Sequence, residues 1–315
     1  MLAEHPAVCS LFEFFTGLDW GRRFAAEPVS GAALAGLVAE PNAVVTAVLR
    51  RGYPVEEITY PFGRGRYARG EPLPWILVSM LPRLSEEPDR LFDETLAFAR
   101  SLPAQPLVAH YRALFDWLAR RTGRPLWIER SGSSIDYLAA LDTSFPGARF
   151  LHVHRDGREA ALSMREHHAY RLPIALLYDA PLDTGERPSS LGPLDLAAPP
   201  SAEDPISRIL AARPAVEAYG RYWSDQVERG EAAAARLCAV GRYRALRFED
   251  LLAAPRDALD EIAAFFALPD GGDWIARAAA LVQTGPAPRF AALDPPQRKA
   301  LEEAVARGQR LLGRS

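Results

Sequence analysis

The sequence predicts an α/β protein in which a parallel β-sheet is flanked by helices on both faces. Two observations support this fold class. Apolar runs of strand length at 125–129 and 150–154 each end in polar residues and lead into a segment with helical periodicity. Proline and glycine residues lie at the boundaries of these runs, where they favour turns. Successive strand–helix units make neighbouring strands parallel, and ligands bind at the carboxyl ends of such strands.

Length and composition allow one large domain or two small ones, and we expect a single domain covering residues 1–315. The chain is 49% hydrophobic, which is enough for a full core, and its net charge of −3 argues against a nucleic-acid or membrane partner. No transmembrane-length apolar window or signal-peptide pattern occurs, so we expect a soluble cytoplasmic protein. Cys9 and Cys238 have no metal-ligand spacing and suggest no disulfide framework. Lys299 is the only lysine, so cationic roles fall to arginine.

The most informative stretch is 148–171, where an apolar strand, a turn and a helix follow one another. Asp156 is suited to be the N-cap of this helix, and Glu159 completes a capping-box-like pair with it. Arg155 leaves the strand, and Ser163 lies two turns into the helix. A guanidinium and a hydroxyl so placed can converge on one phosphate group near a helix N-terminus. The alternative is an ordinary turn with a solvated arginine.

This stretch resembles the 3′-phosphate-binding motif of the sulfotransferases, which transfer a sulfuryl group from 3′-phosphoadenosine-5′-phosphosulfate (PAPS) to an acceptor. Arg155-Asp156-Gly157-Arg158-Glu159, with Ser163 eight residues after the arginine, matches the family pattern. The resemblance implies a nucleoside-triphosphate-hydrolase-like P-loop fold, PAPS as co-substrate bound by Arg155 and Ser163, and no metal. The acceptor would be a small-molecule or carbohydrate hydroxyl.

Two further segments resemble the family in the expected order. Glu129-Arg130-Ser131 is similar to a strand end at which a family lysine offsets charge on the transferred group, so the resemblance gives Arg130 that role; a structural ion pair is the alternative. The segment 246–251, LRFEDL, begins the second strong match. Its Glu249 and Asp250 are expected to pair with arginines and cap a helix rather than to catalyse. Arg289 could reach the nucleotide, but its spacing supports no assignment.

The N-terminal region supplies a candidate general base. A helix end at 1–4 and a short strand at 7–11 precede Glu13-Phe14-Phe15, which looks like a family passage with a catalytic carboxylate. Glu13 is therefore the candidate base, with a capping or ion-paired glutamate as the alternative.

In the family, a strand and a glycine-rich loop that binds the 5′-phosphosulfate come before this region, and the present sequence contains neither. Either translation starts further upstream or the product has lost the loop. The leading hypothesis is a PAPS-dependent sulfotransferase. The alternative is an N-terminally incomplete, catalytically inactive nucleotide-binding or interaction protein. If the strand is absent, the sheet should have uncovered apolar edges.

The remaining segments are mostly helical. We predict helices at 30–51 (two, split at 40–42), 86–101, 106–122, 205–213, 214–240, 273–282 and 295–312. His110 next to the apolar stripe of 106–122 is expected to be structural. Residues 52–73 are rich in glycine, proline and aromatics and predict a lid or a plain surface loop, and 170–204 predict an irregular proline-rich insertion over the site.

Overall fold

The computed structural model describes residues 1–17, 24–283, 285 and 287–314. The strands are β1 Val8–Phe12, β2 Pro28–Val29, β3 Gln105–Pro106, β4 Leu126–Arg130, β5 Phe150–His154 and β6 Tyr243–Arg247. The helices are α1 Gly31–Val38, α2 Ala43–Arg50, α3 Trp75–Val78, α4 Pro88–Ser101, α5 Leu107–Arg121, α6 Leu138–Ser144, α7 Gly157–Glu166, α8 His168–Leu177, α9 Pro205–Ala211, α10 Val216–Ala239, α11 Phe248–Ala253, α12 Pro255–Phe266, α13 Trp274–Ala280 and α14 Pro295–Leu311. Short 3-10 helices lie at Leu2–Glu4, Leu81–Arg83, Ser134–Tyr137, Pro188–Ser190 and Phe290–Ala292.

The strands form three two-stranded sheets rather than one continuous sheet. β1 pairs with β4 in parallel, β5 pairs with β6 in parallel, and the short β2 and β3 pair antiparallel. The prediction that 125–129 and 150–154 share one sheet is therefore wrong for the described residues. The strands and their direction are as predicted, but β4 and β5 each pair with a strand distant in sequence. Among the described residues, β4 and β5 each have one edge without a partner strand, and both strands line one cleft.

The core is built from amphipathic helices that cover these strands. The apolar stripe of α5, composed of Leu107, Tyr111, Leu114, Phe115 and Leu118, is buried, as its helical spacing predicts. His110 on the same helix is also buried, and its ring nitrogens lie 2.9 Å from the Val29 carbonyl oxygen and 3.2 Å from the Gln105 side-chain nitrogen. His110 therefore has the structural role that was expected.

One predicted loop is partly helical. Residues 170–177 belong to α8, which continues through Pro173. The helix buries Leu172, Ile174 and Ala175, and this packing outweighs the hydrogen bond that proline removes. From 178 to 204 the chain is irregular apart from one 3-10 turn, and 52–73 contains neither helix nor strand, as predicted. Within the described part of the chain, no helix is both long and apolar enough to span a membrane.

Candidate functional site

A cleft of about 810 Å³ lies between β4 and β5. Consecutive residues of both strands line its length, from 127 to 131 on one side and from 148 to 155 on the other. All four residues selected from the sequence, Glu13, Arg130, Arg155 and Ser163, contribute to its wall. The tertiary structure thus brings together side chains that come from two separate parallel sheets and one helix.

Arg155 directly follows the last residue of β5, and α7 begins two residues later at Gly157. Asp156 caps this helix, because its carboxylate accepts a hydrogen bond from the Arg158 backbone N–H at 2.8 Å. The Arg155 side chain donates one hydrogen bond to the Glu159 carbonyl oxygen, while its Nε is buried and has no partner among the described residues. Burial lowers the pKa of Arg155, and the nearby charge of Arg289 lowers it further. An unpaired buried guanidinium N–H is costly unless an acceptor is supplied.

Glu159 does not complete the predicted capping box. Its Oε1 accepts hydrogen bonds from the backbone N–H groups of Arg289 and Phe290, each at 2.8 Å. The N–H of Asp156 donates instead to Glu249 Oε1 at 3.0 Å. The reason lies in the tertiary structure, because Glu249 of α11 accepts the hydrogen bond from the Asp156 N–H that a capping box would give to Glu159. Glu159 is thereby available to fix the C-terminal segment beside Arg155.

Arg289, to which the sequence assigned no role, lies close enough to Arg155 for its charge to act on that side chain. Its Nε lies 3.8 Å from Glu159 Oε2 and, like that of Arg155, is buried without a hydrogen-bond partner among the described residues. Two guanidinium groups with unsatisfied donors therefore stand close together at the carboxyl end of β5. No local pattern could have revealed this, because Arg289 lies more than a hundred residues downstream in an irregular segment.

Glu13 follows β1 in a left-handed backbone conformation, with φ of 54°. Such a conformation is costly for a residue other than glycine and persists where the surroundings impose it. The N–H of Gly132 lies 3.1 and 3.2 Å from the two Glu13 carboxylate oxygens, and the Thr16 hydroxyl donates to Oε2 at 2.5 Å. Burial raises the pKa of Glu13, although these hydrogen bonds oppose the rise. A carboxylate whose pKa is raised is a stronger base than an ordinary carboxylate.

Glu129 is a second half-buried carboxyl beside Glu13. Its Oε1 accepts hydrogen bonds from the N–H groups of Phe14 and Phe15 at 3.1 and 3.4 Å, and from the Ser131 hydroxyl at 2.5 Å. Burial raises the pKa of Glu129 to about 7, and the charge of Glu13 contributes to the rise. Glu129 therefore holds the turn that carries Glu13 against the end of β4.

Arg130 points to the side of the β1–β4 pair that carries Ser10 and Phe12. Its Nε donates to the Ser10 hydroxyl oxygen at 3.2 Å, and its guanidinium lies 4.3 Å from the centre of the Phe12 ring. No described carboxylate is within ion-pair distance of Arg130, so the expected alternative of a structural ion pair does not occur in the described chain. Its contact with a transferred group stays a prediction.

Close packing joins the carboxyl end of β4 to α8. A Cβ at Gly132 would lie 2.7 Å from the Tyr170 hydroxyl and 3.6 Å from Glu13 Oε1, so only glycine fits. Nearby, His167 Nε2 lies 2.6 Å from Glu57 Oε2. Burial lowers the pKa of His167, but the Glu57 carboxylate outweighs this effect and the net shift is upward. This pair attaches the 52–73 segment next to the site; whether the segment is a lid stays a prediction.

The end of β5 is held by the C-terminal Arg314. Its guanidinium donates to Glu249 Oε2 at 2.7 Å and to the His154 carbonyl oxygen at 3.0 Å. Burial raises the pKa of Glu249, but the hydrogen bonds from Arg314 and the Asp156 N–H outweigh it, and the pKa falls to about 2. Glu249 thus has the arginine-pairing role expected of it. In the described residues, no group of three or more His, Cys, Asp or Glu side chains is placed to hold a metal ion.

Comparison with known proteins gives no family assignment. No family model matches the chain, and no curated protein matches it. Two solved structures are similar over nearly its whole length. A sulfotransferase domain from the curacin biosynthetic pathway has 12% identity and a TM-score of 0.44, with 98% of each chain covered. A sulfotransferase domain from the Synechococcus PCC 7002 olefin synthase has 15% identity and a TM-score of 0.39, covering 98% of this chain and 94% of that one. At these scores the likeness assigns neither a fold family nor a function.

Proposed function

We propose that this protein is a sulfotransferase that uses PAPS and acts on a hydroxyl of a small molecule or carbohydrate. The observation that carries the proposal is the pair of buried guanidinium Nε atoms of Arg155 and Arg289, neither of which has a hydrogen-bond partner among the described residues. Ser163 lines the same cleft and offers a hydroxyl. Such donors fit a phosphate group, because its oxygens accept several charge-assisted hydrogen bonds at once.

PAPS fits this part of the site through its 3′-phosphate, which Arg155, Ser163 and Arg289 would hold; when bound, it supplies the activated sulfuryl group. The chain's own contribution to chemistry is proton handling and charge. Glu13, half-buried in the wall of the same cleft, would take the proton of the acceptor hydroxyl, and Arg130 would offset negative charge on the transferred group. No metal is needed for these roles.

Binding to this site can be measured directly. Isothermal titration calorimetry with adenosine 3′,5′-bisphosphate should show saturable binding that Arg155→Gln weakens at least about tenfold, because a charge-assisted contact is lost. Arg149→Gln is the matched control, since Arg149 lines the other end of the cleft. Equal affinity in Arg155→Gln and wild-type protein would exclude the proposed nucleotide site.

A second candidate is a nucleotide-binding protein without transfer activity. It is favoured by the sequence itself, which contains no glycine-rich phosphate loop ending in lysine and serine or threonine. In the leading proposal, an additional strand leads into such a loop. That strand would pair with the edge of β4 or β5 that has no partner strand among the described residues. A transfer assay distinguishes the two candidates. It uses labelled PAPS, a panel of hydroxyl acceptors, and protein extended by any in-frame upstream strand and loop. Binding without label transfer in the extended protein favours the second candidate.

A further inference from the structure

A pocket of about 400 Å³ lies beside the β1–β4 pair, and its described lining contains four arginines but no aspartate or glutamate. We call it the basic pocket. Its arginines are Arg83, Arg121, Arg124 and Arg130, and its hydroxyl-bearing lining residues are Ser10, Ser85 and Thr122. A concave surface lined by charge of one sign concentrates ions of the opposite sign.

Three of these arginines have no carboxylate within ion-pair distance among the described residues. Arg121 is the exception, because its Nε lies 2.7 Å from Glu94 Oε2. Arg124 donates only to backbone carbonyl oxygens, those of Ala3 and His5 at 3.2 Å each and that of Val8 at 2.5 Å. These contacts fix the position of its charge without neutralising it.

Arg83 and Arg130 both pack against the ring of Phe12. Their guanidinium carbons lie 4.5 and 4.3 Å from the centre of the Phe12 ring. Burial lowers the pKa of Arg130, and the charge of Arg83 lowers it further. The charges of Glu13 and Glu129 act in the opposite direction on Arg130, but neither carboxylate is within ion-pair distance of it. The like charges of Arg83 and Arg130 repel each other, and stacking on an aromatic ring only partly offsets this.

We infer that the basic pocket binds a tetrahedral oxyanion, the phosphate or sulfate group of a ligand, through Arg83, Arg124 and Arg130. Planar guanidinium groups donate paired hydrogen bonds to such oxyanions, and a fixed arrangement loses little entropy on binding. The inference concerns binding alone and does not rest on the proposed sulfuryl transfer.

Calorimetric titration of the whole chain with inorganic phosphate at low ionic strength tests it. We expect saturable binding that Arg83→Gln weakens at least about tenfold, while Arg120→Gln, an exposed arginine on α5 outside the pocket, leaves it unchanged. Circular dichroism verifies that both variants are folded. Absence of saturable binding to wild-type protein, or equal affinity in Arg83→Gln, would overturn the inference.

A further arm separates this pocket from the cleft. If phosphate binding is lost in Arg155→Gln but kept in Arg83→Gln, the anion binds beside β5 and the basic-pocket assignment is wrong. If it is lost in Arg83→Gln but kept in Arg155→Gln, the basic pocket is a separate site even where bisphosphate binding to the cleft fails. Repeating the titration with sulfate, phenyl phosphate and phenyl sulfate identifies the source: tighter binding of an ester indicates a group on a larger ligand, and equal binding indicates a free ion.

Discussion

The two parallel strand pairs carry opposite chemistry where they meet the cleft. At the end of β1–β4, the carboxyls of Glu13 and Glu129 are half-buried and held mainly by backbone N–H and hydroxyl donors. At the end of β5–β6, the partly exposed side chains of Arg155 and Arg289 each have a buried Nε without a hydrogen-bond partner among the described residues. The two strand pairs therefore place carboxyls at one end of the cleft and guanidinium donors at the other.

This difference follows from what surrounds each charge. The Glu13 and Glu129 carboxyls lose hydration, and their hydrogen bonds, together with the charge of Arg130 near Glu13, compensate only partly, so the pKa of each carboxyl rises. Arginine stays charged under the same burial, and its unsatisfied N–H groups require an acceptor instead. An acceptor hydroxyl placed between the two ends would therefore meet a proton acceptor on one side and an anion site on the other.

The largest effect is expected from removing the proton acceptor. Glu13→Gln should lower sulfuryl transfer about 10²- to 10⁴-fold, because amide groups cannot take a proton. The wild-type rate should rise with pH through the raised pKa of Glu13, and the variant should lose this dependence. The measurement is the pH profile of label transfer to an accepted hydroxyl substrate. Glu231→Gln, at an exposed position on α10, serves as the control, and an unchanged acidic limb in Glu13→Gln would remove Glu13 from the base role.

A smaller effect should appear in stability. The folded pKa of Glu129 is about 7 against an ordinary value of 4.5, so the folded state binds the proton more tightly. The free energy of unfolding should therefore fall as pH rises from about 4.5 to 7, by no more than about 3 kcal/mol. Glu129→Gln lacks this ionisation, so its melting temperature relative to wild type should be higher at pH 8 than at pH 5. Parallel pH curves for the two proteins would contradict the buried-carboxyl interpretation.

The smallest effect is expected from the arginines at the end of the β5–β6 pair. Arg289→Gln should weaken binding of adenosine 3′,5′-bisphosphate by about tenfold or less, since this side chain is 38% exposed and solvent screens its charge. Calorimetry at two salt concentrations measures the loss, which should shrink as salt increases. Lys299→Gln is the control because its side chain is 79% exposed and remote from the cleft lining. An undiminished affinity in Arg289→Gln would confine the anion site to Arg155 and Ser163.

The sequence determined the features that depend on neighbouring residues. The strand 150–154, the N-cap at Asp156 and the buried stripe of α5 occur where local patterns predict them. These patterns suffice because capping and amphipathic periodicity involve residues only a few positions apart.

Tertiary structure decided which distant groups meet. It paired β4 with β1 and β5 with β6 rather than with each other. It also directed the Glu159 carboxylate to the backbone of Arg289 and Phe290 instead of the cap of α7, and placed Arg130 with Arg83 on the Phe12 ring. Tertiary packing also raises the pKa of Glu129, because the neighbouring segments that remove its carboxyl from water come from other parts of the chain. Contacts across a hundred or more residues carry no local periodicity, so their partners are fixed only when the whole chain is packed.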